Sequence, residues 1–329
     1  MDNKIKYSDF CNKKVSNIAY GCATLAELYN KFDSNEYLDI LKYSYQSGIN
    51  YFDVAPFYGG GLAEKRLGEF ISIPEINRED LFISTKIGRY TDLNSNSGSG
   101  GYFDFTPSKI EESIKTSMKN LNTNYIDLIQ CHDIENVESN KIIDILPLLE
   151  HYKNIGKIGG IGINSYPLYP LKMIIESSNI KIDSVGTYAH HTLINDSIKD
   201  YIPYFVEKNI KIINCSPLAM GLLTKNGPPS WHPASDIMRN SVLDILNYCE
   251  KKNQDISDLS MRFSFSNPNI LTTITGGKNN SEIQKNINSL NNPLSNEMLS
   301  DLNEIVKPIK NCLWGPEDGI QPVYCWKYI

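Results

Sequence analysis

The sequence lacks the features of a secreted, membrane-spanning or nucleic-acid-binding protein. No stretch approaches the roughly 18 uninterrupted apolar residues of a membrane span. The N-terminal run MDNKIKYSDFCNKK has no apolar signal-peptide segment. The net charge of −6 comes without any dense basic block. We therefore expect neither nucleic acid nor a membrane as a partner.

Cysteine and histidine are present without the spacings that would give them a structural role. The seven cysteines include no C-x-x-C pair, and the five histidines show no ligand spacing with cysteines or acids. Separate thiols are typical of a reducing compartment, so a cytoplasmic protein is expected. No metal site is expected.

The G-x-G-x-x-G turn of a Rossmann domain is also missing. Instead, short apolar, β-branched runs alternate with helical patterns. The predicted strands are 15–21, 50–54, 81–88, 125–133, 157–163, 183–189, 210–216 and 270–276. The predicted helices are 35–47, 63–71, 108–120, 139–154, 167–177, 197–208, 240–252 with 256–266, and 281–289. Eight alternations predict a single-domain (β/α)8 TIM barrel over residues 1–329, and an open doubly wound sheet is the competing fold.

Two segments stand apart from this alternation. Residues 89–105, RYTDLNSNSGSGGYFDF, form a polar insertion after the third strand, on the functional face of a barrel. They are a candidate substrate loop, with an unused flexible loop as the alternative. The aromatic C-terminal tail, about 311–329, would cover the barrel mouth, contact another subunit or cover the outer surface.

Polar residues at four predicted strand ends form the candidate site. Asp53 ends the second strand, Tyr58 lies in the next loop, Lys86 ends the third strand and His132 the fourth. Each alone has a structural explanation, such as a helix cap, a packed ring or a rim charge. Together they suit proton transfer, because an ammonium favours the phenolate of a tyrosine and a carboxylate holds the ammonium in place.

The runs FDVAPFYGGGLAEKRLG, ISTKIG and YIDLIQCHD resemble the aldo-keto reductase superfamily. That resemblance implies a (β/α)8 barrel that binds a nicotinamide cofactor without a Rossmann motif. It also implies a catalytic tetrad of Asp53, Tyr58, Lys86 and His132. In the oxidative direction, Tyr58 with Lys86 would remove a hydroxyl proton while hydride leaves the carbon, and His132 would position the hydroxyl.

The same resemblance implies a set of cofactor-binding residues. Asn164, Ser165 and Tyr188 would hold the nicotinamide amide, and Cys215 stands where many members stack an aromatic ring. The pyrophosphate would follow Ser216 and Leu218, and the adenosine would lie among Gly276, Lys278, Glu282 and Asn286. Glutamate at 282 would repel a 2′-phosphate, which favours NAD over NADP. The alternative is that Glu282 is only a solvated acid in the first turn of a helix.

Longer runs such as SPLAMGLLTKNGPPSWHPAS resemble the aldose dehydrogenases of this family. They imply NAD-dependent oxidation of an aldose at C1 to the lactone in ascorbate synthesis. L-galactose is the expected substrate, and L-fucose or D-arabinose are alternatives. Phe57, His190 and His191 are candidate sugar-binding residues in a monomer or homodimer. An NADPH-linked aldehyde reductase and a non-catalytic regulatory subunit remain as other readings.

Overall fold

The structure is a computed structural model that describes residues 5–27, 36–92, 101–230 and 232–314. Its strands are β1 (Tyr7–Phe10), β2 (Lys13–Ser16), β3 (Ile18–Gly21), β4 (Tyr51–Asp53), β5 (Phe82–Ile87), β6 (Arg89–Thr91), β7 (Gly101–Phe103), β8 (Leu128–Cys131), β9 (Ile161–Asn164), β10 (Ser184–Tyr188), β11 (Lys211–Cys215) and β12 (Ile270–Thr275). Its α-helices are α1 (Glu36–Gln46), α2 (Leu62–Ile71), α3 (Pro107–Asn120), α4 (Ser139–Asn154), α5 (Leu168–Ser177), α6 (Ile202–Glu207), α7 (Asp236–Lys251), α8 (Ile256–Ser264), α9 (Asn280–Ser289) and α10 (Asn296–Val306).

Eight of these strands form a closed barrel in the order β10-β11-β12-β3-β4-β5-β8-β9. All neighbours in the barrel are parallel, and the ring closes where Thr273 of β12 pairs with Ile18 of β3. Each barrel strand overlaps one of the eight predicted strands. The predicted (β/α)8 barrel is therefore confirmed, and the open doubly wound sheet is excluded.

Alternation along the strands separates two apolar layers. Ile83 and Ile129 point outward into the large cluster shared with the helices. Their neighbours Phe82 and Leu128 belong to a smaller cluster inside the barrel. This inner cluster includes Phe10 and Val15 of the β1–β2 hairpin, so the hairpin closes the base of the barrel.

That hairpin differs from the prediction of one continuous strand over 15–21. The chain turns at Cys11 and Asn12, which have positive φ of 47° and 63°. Ser16 then ends β2 before β3 begins at Ile18. Cys-Asn is not one of the glycine-containing pairs that usually mark a two-residue hairpin turn, so no strong turn signal was present.

The C-terminal half contains a helix that the pattern did not predict. α10 begins after Ser295, whose Oγ accepts a hydrogen bond from Met298 N at 3.2 Å. Leu302 and Val306, four residues apart on one face, are its buried side chains. It packs mainly on α7.

The predicted substrate loop and tail are described in part. The loop begins and ends as an antiparallel hairpin in which Arg89 pairs with Phe103 and Thr91 with Gly101. Residues 93–100 of the loop and 315–329 of the tail lie outside the described residues.

Gly68 in α2 allows two helices to approach closely. A Cβ at this position would lie 2.1 Å from the backbone oxygen of Asn120, at the end of α3. We predict that Gly68→Ala lowers the free energy of unfolding by about 1–3 kcal/mol, because backbone atoms must shift to admit the methyl group. At a solvent-exposed helix position, glycine-to-alanine substitution would instead raise the free energy of unfolding by up to about 1 kcal/mol.

Urea unfolding with an unchanged m-value measures this effect. Lys65→Ala, at an exposed position of the same helix, serves as the control and should change stability by less than about 0.5 kcal/mol. A Gly68→Ala protein as stable as the parent would contradict the close approach.

Candidate active site

A buried lysine organises the mouth of the barrel. Lys86 is 3% exposed, and its Nζ donates hydrogen bonds to Asp53 Oδ1, to Val54 O at 3.0 Å and to Tyr58 OH at 3.4 Å. These bonds use the three N–H groups of the ammonium. The other oxygen of Asp53 accepts from Gln130 Nε2 at 3.0 Å. The structure thus brings Asp53, Tyr58 and Lys86 together as predicted.

The loop after β4 carries Tyr58 back over the barrel. Gly59, Gly60 and Gly61 have φ of 64°, 60° and 89°, a region that side chains avoid. Tyr58 N donates to Ala55 O at 3.0 Å, so the loop makes a tight turn before α2 begins. The YGGG run therefore places a phenol above a strand-end lysine.

Charges in this cluster depend on burial as well as on pairing. Burial raises the pKa of Tyr58, and the neighbouring Lys86 ammonium lowers it by less. Burial lowers the pKa of Lys86, but Asp53 and Tyr58 together raise it above its ordinary value. The net result is an ammonium beside a protonated phenol. Lys86 acts on Tyr58 in the expected direction, but burial is the larger effect.

His132 stands across from these residues as a neutral ring. Burial lowers its pKa to about 3. The ring lies edge-on to Tyr58 and Phe57, with centroid distances of 6.1 Å to each. Nδ1 is enclosed and has no hydrogen-bond partner among the described residues, while Nε2 lies 3.8 Å from Asp133 Oδ1. The tautomer with the proton on Nε2 leaves no buried donor unpaired, so His132 is suited to donate a hydrogen bond there.

The predicted nicotinamide residues lie at the ends of β9 and β10. Asn164 is 6% exposed, and its Oδ1 has no hydrogen-bond partner in the described part of the chain. Its amide lies over Gly186, where an added Cβ would be 2.3 Å from Oδ1. Ser165 N donates to Gly186 O at 3.1 Å. An unpaired acceptor in a cradle of this kind fits the carboxamide of a nicotinamide.

Tyr188 and Cys215 follow on adjacent strands and are paired in register. The Tyr188 ring stacks on Tyr166 with centroids 4.9 Å apart. Cys215 lies inside the barrel, and burial raises the pKa of its thiol to about 12, so the sulfur stays neutral. Ser216 then has a φ of 56°, and Leu218 begins the short turn 219–221.

The predicted adenosine residues meet at the start of α9. Gly276 approaches Thr24, since an added Cβ would lie 2.9 Å from Thr24 Cγ2. Asn286 Nδ2 donates to Gly276 O at 3.1 Å. Glu282 Oε2 accepts from Lys278 N at 2.9 Å, and its side chain is 41% exposed. Glu282 is therefore a first-turn acid that also faces solvent at this corner.

The three predicted sugar residues lie in different places. Phe57 borders Tyr58 and His132. The Nδ1 atom of His190 lies 2.8 Å from the backbone oxygen of Tyr188. His191 packs on Phe263 of α8, 5.0 Å between centroids, and its Nδ1 lies 2.7 Å from Asp196 Oδ1. His191 therefore faces the helical layer, and no contact between its side chain and the tetrad occurs among the described residues.

Several residues at the site were not singled out from the sequence. Gln130 fixes Asp53, and it was visible as the inward residue two positions before His132. The Asp133 carboxylate pairs with Arg89. Burial raises the pKa of the nearby Glu135 carboxyl. Trp314, the last described residue, stacks on Tyr166 with centroids 5.3 Å apart. No periodicity signals the Asp133–Arg89 and Trp314–Tyr166 contacts, because their partners lie far apart in the chain.

Comparisons with known proteins agree with this barrel fold. The model of the Aldo/keto reductase family matches residues 17–307. L-galactose dehydrogenase of Arabidopsis thaliana is 31% identical over 310 residues, which cover 92% of this chain and 93% of the relative. D-arabinose 1-dehydrogenase of Saccharomyces cerevisiae is 29% identical over 273 residues, with coverages of 79% and 78%. An aldo-keto reductase from Bacillus halodurans, solved in its holo form, superposes with a TM-score of 0.76 at 22% identity, over 94% of this chain and 98% of that one.

The chain belongs to the aldo/keto reductase family, and the predicted family is confirmed. Proteins of this family are oxidoreductases that use nicotinamide cofactors and act on small substrates. Within residues 5–27, 36–92, 101–230 and 232–314, no cluster of three or more metal-ligating side chains occurs. Across the same residues, no helix has the length and apolar character needed to cross a membrane.

Two buried histidines predict how stability depends on pH. Burial lowers the pKa of His132 to about 3 and that of His190 to about 4, from an ordinary 6.5. Between these values the unfolded chain binds more protons than the folded one, so stability falls as the pH drops from 6.5 towards 4. Each group contributes at most about 1.4 kcal/mol per pH unit.

We predict that His190→Asn makes this acid loss shallower by up to that amount, since the amide can still donate to Tyr188 O. Urea unfolding at pH 6.5, 5.5 and 4.5 measures the slope. His151→Asn, at an exposed position on α4, should leave the slope of the parent unchanged. Equal slopes for His190→Asn and the parent would show that folding does not lower the pKa of His190.

Proposed function

We propose that this protein oxidises an aldose at C1 to the lactone with NAD, and that L-galactose is its substrate. The observation that carries the proposal is the buried Lys86 bonded to Asp53 and Tyr58 beside a neutral His132. The sugar assignment is supported by the names of the two aldose dehydrogenases that match most of the chain. Both names describe oxidation of an aldose, and one specifies position 1.

Each member of the tetrad has a defined task in this reaction. The nicotinamide ring, when bound, supplies the hydride acceptor. Tyr58 carries its proton in the free protein and must first release it; the resulting phenolate, stabilised by Lys86, then takes the proton of the C1 hydroxyl. His132 donates from Nε2 to the same oxygen and so orients the C1 carbon. Asp53 compensates the charge of Lys86 and keeps the ammonium under Tyr58.

The cofactor would lie across the barrel mouth. Asn164 Oδ1, which lacks a hydrogen-bond partner within the described part of the chain, would accept from the carboxamide, with Ser165 and Tyr188 beside it. Cys215, Ser216 and Leu218 would follow the cofactor towards α9. There Gly276, Lys278, Glu282 and Asn286 would surround the adenosine. We infer a preference for NAD because the half-exposed Glu282 carboxylate would repel a 2′-phosphate.

We propose one barrel domain in which the described ends of the loop, 89–92 and 101–105, and the described start of the tail, 311–314, border the sugar. Two contacts support this. Arg89 lies over the Phe57 ring, 3.8 Å from its centroid, and Trp314 reaches Tyr166 at the mouth. Phe57 and His190 are the proposed sugar contacts, and the ascorbate pathway is the proposed context.

Free thiols at Cys11, Cys22, Cys131, Cys215, Cys249 and Cys312 support a cytosolic location.

Turnover of purified protein tests the reaction itself. With NAD+ and L-galactose, NADH should appear at 340 nm, and Tyr58→Phe should reduce kcat by about 10²–10⁴-fold because the proton acceptor is lost. Tyr45→Phe, which removes a hydroxyl from α1, is the matched control and should retain parental activity. L-fucose, D-arabinose and small aldehydes with NADPH distinguish the related activities. No turnover with any of them would refute the proposal and favour a regulatory role.

Substitution at α9 tests the cofactor preference separately. We predict that Glu282→Arg shifts the ratio of kcat/KM for NADP+ to that for NAD+ upward by about 10–100-fold, because a guanidinium can pair with the 2′-phosphate. Glu297→Arg changes a first-turn acid of α10 in the same way and should leave the ratio unchanged. A parent that prefers NADP+ would refute the NAD assignment but not the tetrad.

A further inference from the structure

A second carboxylate lies beside the reacting position. Asp133 follows His132 directly, and its Oδ1 is 3.8 Å from His132 Nε2. Its other oxygen accepts a hydrogen bond from Arg89 Nη1, and its side chain is only 7% exposed. Burial alone would raise the pKa of Asp133, but its positively charged surroundings, with the bonded Arg89 guanidinium among them, bring the pKa below its ordinary value, so the group is ionised. A buried charge is costly and requires compensation.

Local structure does not account for this carboxylate. Asp133 precedes the short helix Ile134–Asn136, but its side chain makes no capping hydrogen bond there. The backbone oxygen serves that turn instead, accepting from Asn136 N at 3.1 Å. The next acid, Glu135, accepts from Tyr166 N at 3.2 Å and so binds the loop that follows β9. Among the described residues, Asp133 is the one whose carboxylate oxygen lies near His132 Nε2.

Arg89 fixes the position of this carboxylate. Its guanidinium lies 3.8 Å from the centroid of Phe57 and 5.7 Å from that of Phe103. The Nε atom is enclosed and has no hydrogen-bond partner among the described residues. Stacking between two rings restrains the guanidinium, and the Asp133 oxygen bonded to it cannot turn towards substrate. That leaves Oδ1 as the oxygen available beside His132.

We propose that Asp133 is a substrate-specificity residue that accepts a hydrogen bond from the hydroxyl on the carbon next to the reacting carbon. The inference rests on the proposed function, in which the reacting oxygen lies between Tyr58 OH and His132 Nε2. A hydroxyl on the adjacent carbon lies about one hydrogen-bond length from that oxygen. It therefore falls within reach of Asp133 Oδ1, and an ionised carboxylate can only accept.

This arrangement favours neutral polyhydroxy substrates. A substrate without the adjacent hydroxyl would cover Asp133 Oδ1 and leave that oxygen without a hydrogen-bond donor. Sites built to bind a hydroxyl strongly reject analogues that lack it. An anionic substrate would be repelled by the Asp133 carboxylate. The Arg89 guanidinium would not offset this repulsion, because its charge is already paired with Asp133. Arg89 consequently serves to hold Asp133 and not to attract a negative group.

Variants at this position must respect its backbone. Asp133 has a φ of 50°, in the left-handed region that Asn and Gly adopt with little strain. Asp133→Gly removes the acceptor, and Asp133→Asn retains an oxygen but removes the charge. Asn209→Gly introduces glycine at an exposed residue with a φ of 54° and controls for added backbone freedom.

The measurement is the ratio of kcat/KM for lactaldehyde to that for propanal with NADH or NADPH, whichever supports turnover. These aldehydes differ only in the adjacent hydroxyl. The corresponding pair in the oxidative direction is L-galactose and 2-deoxy-L-galactose. We expect the parent to prefer the hydroxyl-bearing member by about 10–100-fold, the range expected for a hydrogen bond to a charged group. Asp133→Gly should bring the ratio near one, Asp133→Asn should give an intermediate value, and Asn209→Gly should retain the parental ratio.

Three results would overturn the inference. A parent that uses both members equally would refute the specificity role while leaving the redox function intact. Equal losses on both members in Asp133→Gly would mean that Asp133 only positions His132. Absence of turnover with every sugar and aldehyde would refute the proposed function, and the specificity role would fall with it.

Discussion

A buried ammonium persists in a protein only when its three N–H groups find acceptors, and Lys86 satisfies this condition at the barrel mouth. Its partners are the Asp53 carboxylate, the Val54 carbonyl and the Tyr58 hydroxyl. Asp53 in turn requires a second donor, which Gln130 supplies from β8. Three neighbouring strands and one loop are thereby held in register by one charge. The hydrogen bonds that stabilise the buried charge of Lys86 therefore also position the Tyr58 phenol.

The interior of the barrel changes character along its axis. Towards the base, aromatic and aliphatic side chains such as Tyr51 and Phe82 fill the space under the β1–β2 hairpin. Towards the mouth, the inward positions carry Ser84, Gln130 and Asn164. Tyr58 and His132 lie at this polar end, where burial is the largest influence on the pKa of each. Stability is concentrated at one end and chemistry at the other.

Sequence patterns predicted the elements that repeat and the residues that end strands. Each barrel strand was visible as a β-branched run, and Asp53, Lys86 and His132 were visible as polar residues closing such runs. The β1–β2 turn was hidden because Cys11 and Asn12 adopt positive φ without a glycine. The Arg89–Asp133 pair joins two loops and leaves no local signal. His191 shows how precisely a position must be known for a site prediction. A shift of one residue along the chain decides whether a side chain faces the barrel or its helices.

The closing pair of strands has a consequence for how this chain is made. β3 ends at Gly21 and its partner β12 begins at Ile270, about 250 residues later. At synthesis rates of about 5–20 residues per second, the edge of β3 waits roughly 12–50 s for its partner to leave the ribosome. Its other edge can pair much earlier, when β4 emerges. A nascent chain therefore carries an open strand edge for most of its translation, and chaperones that cover such edges have a defined interval in which to act.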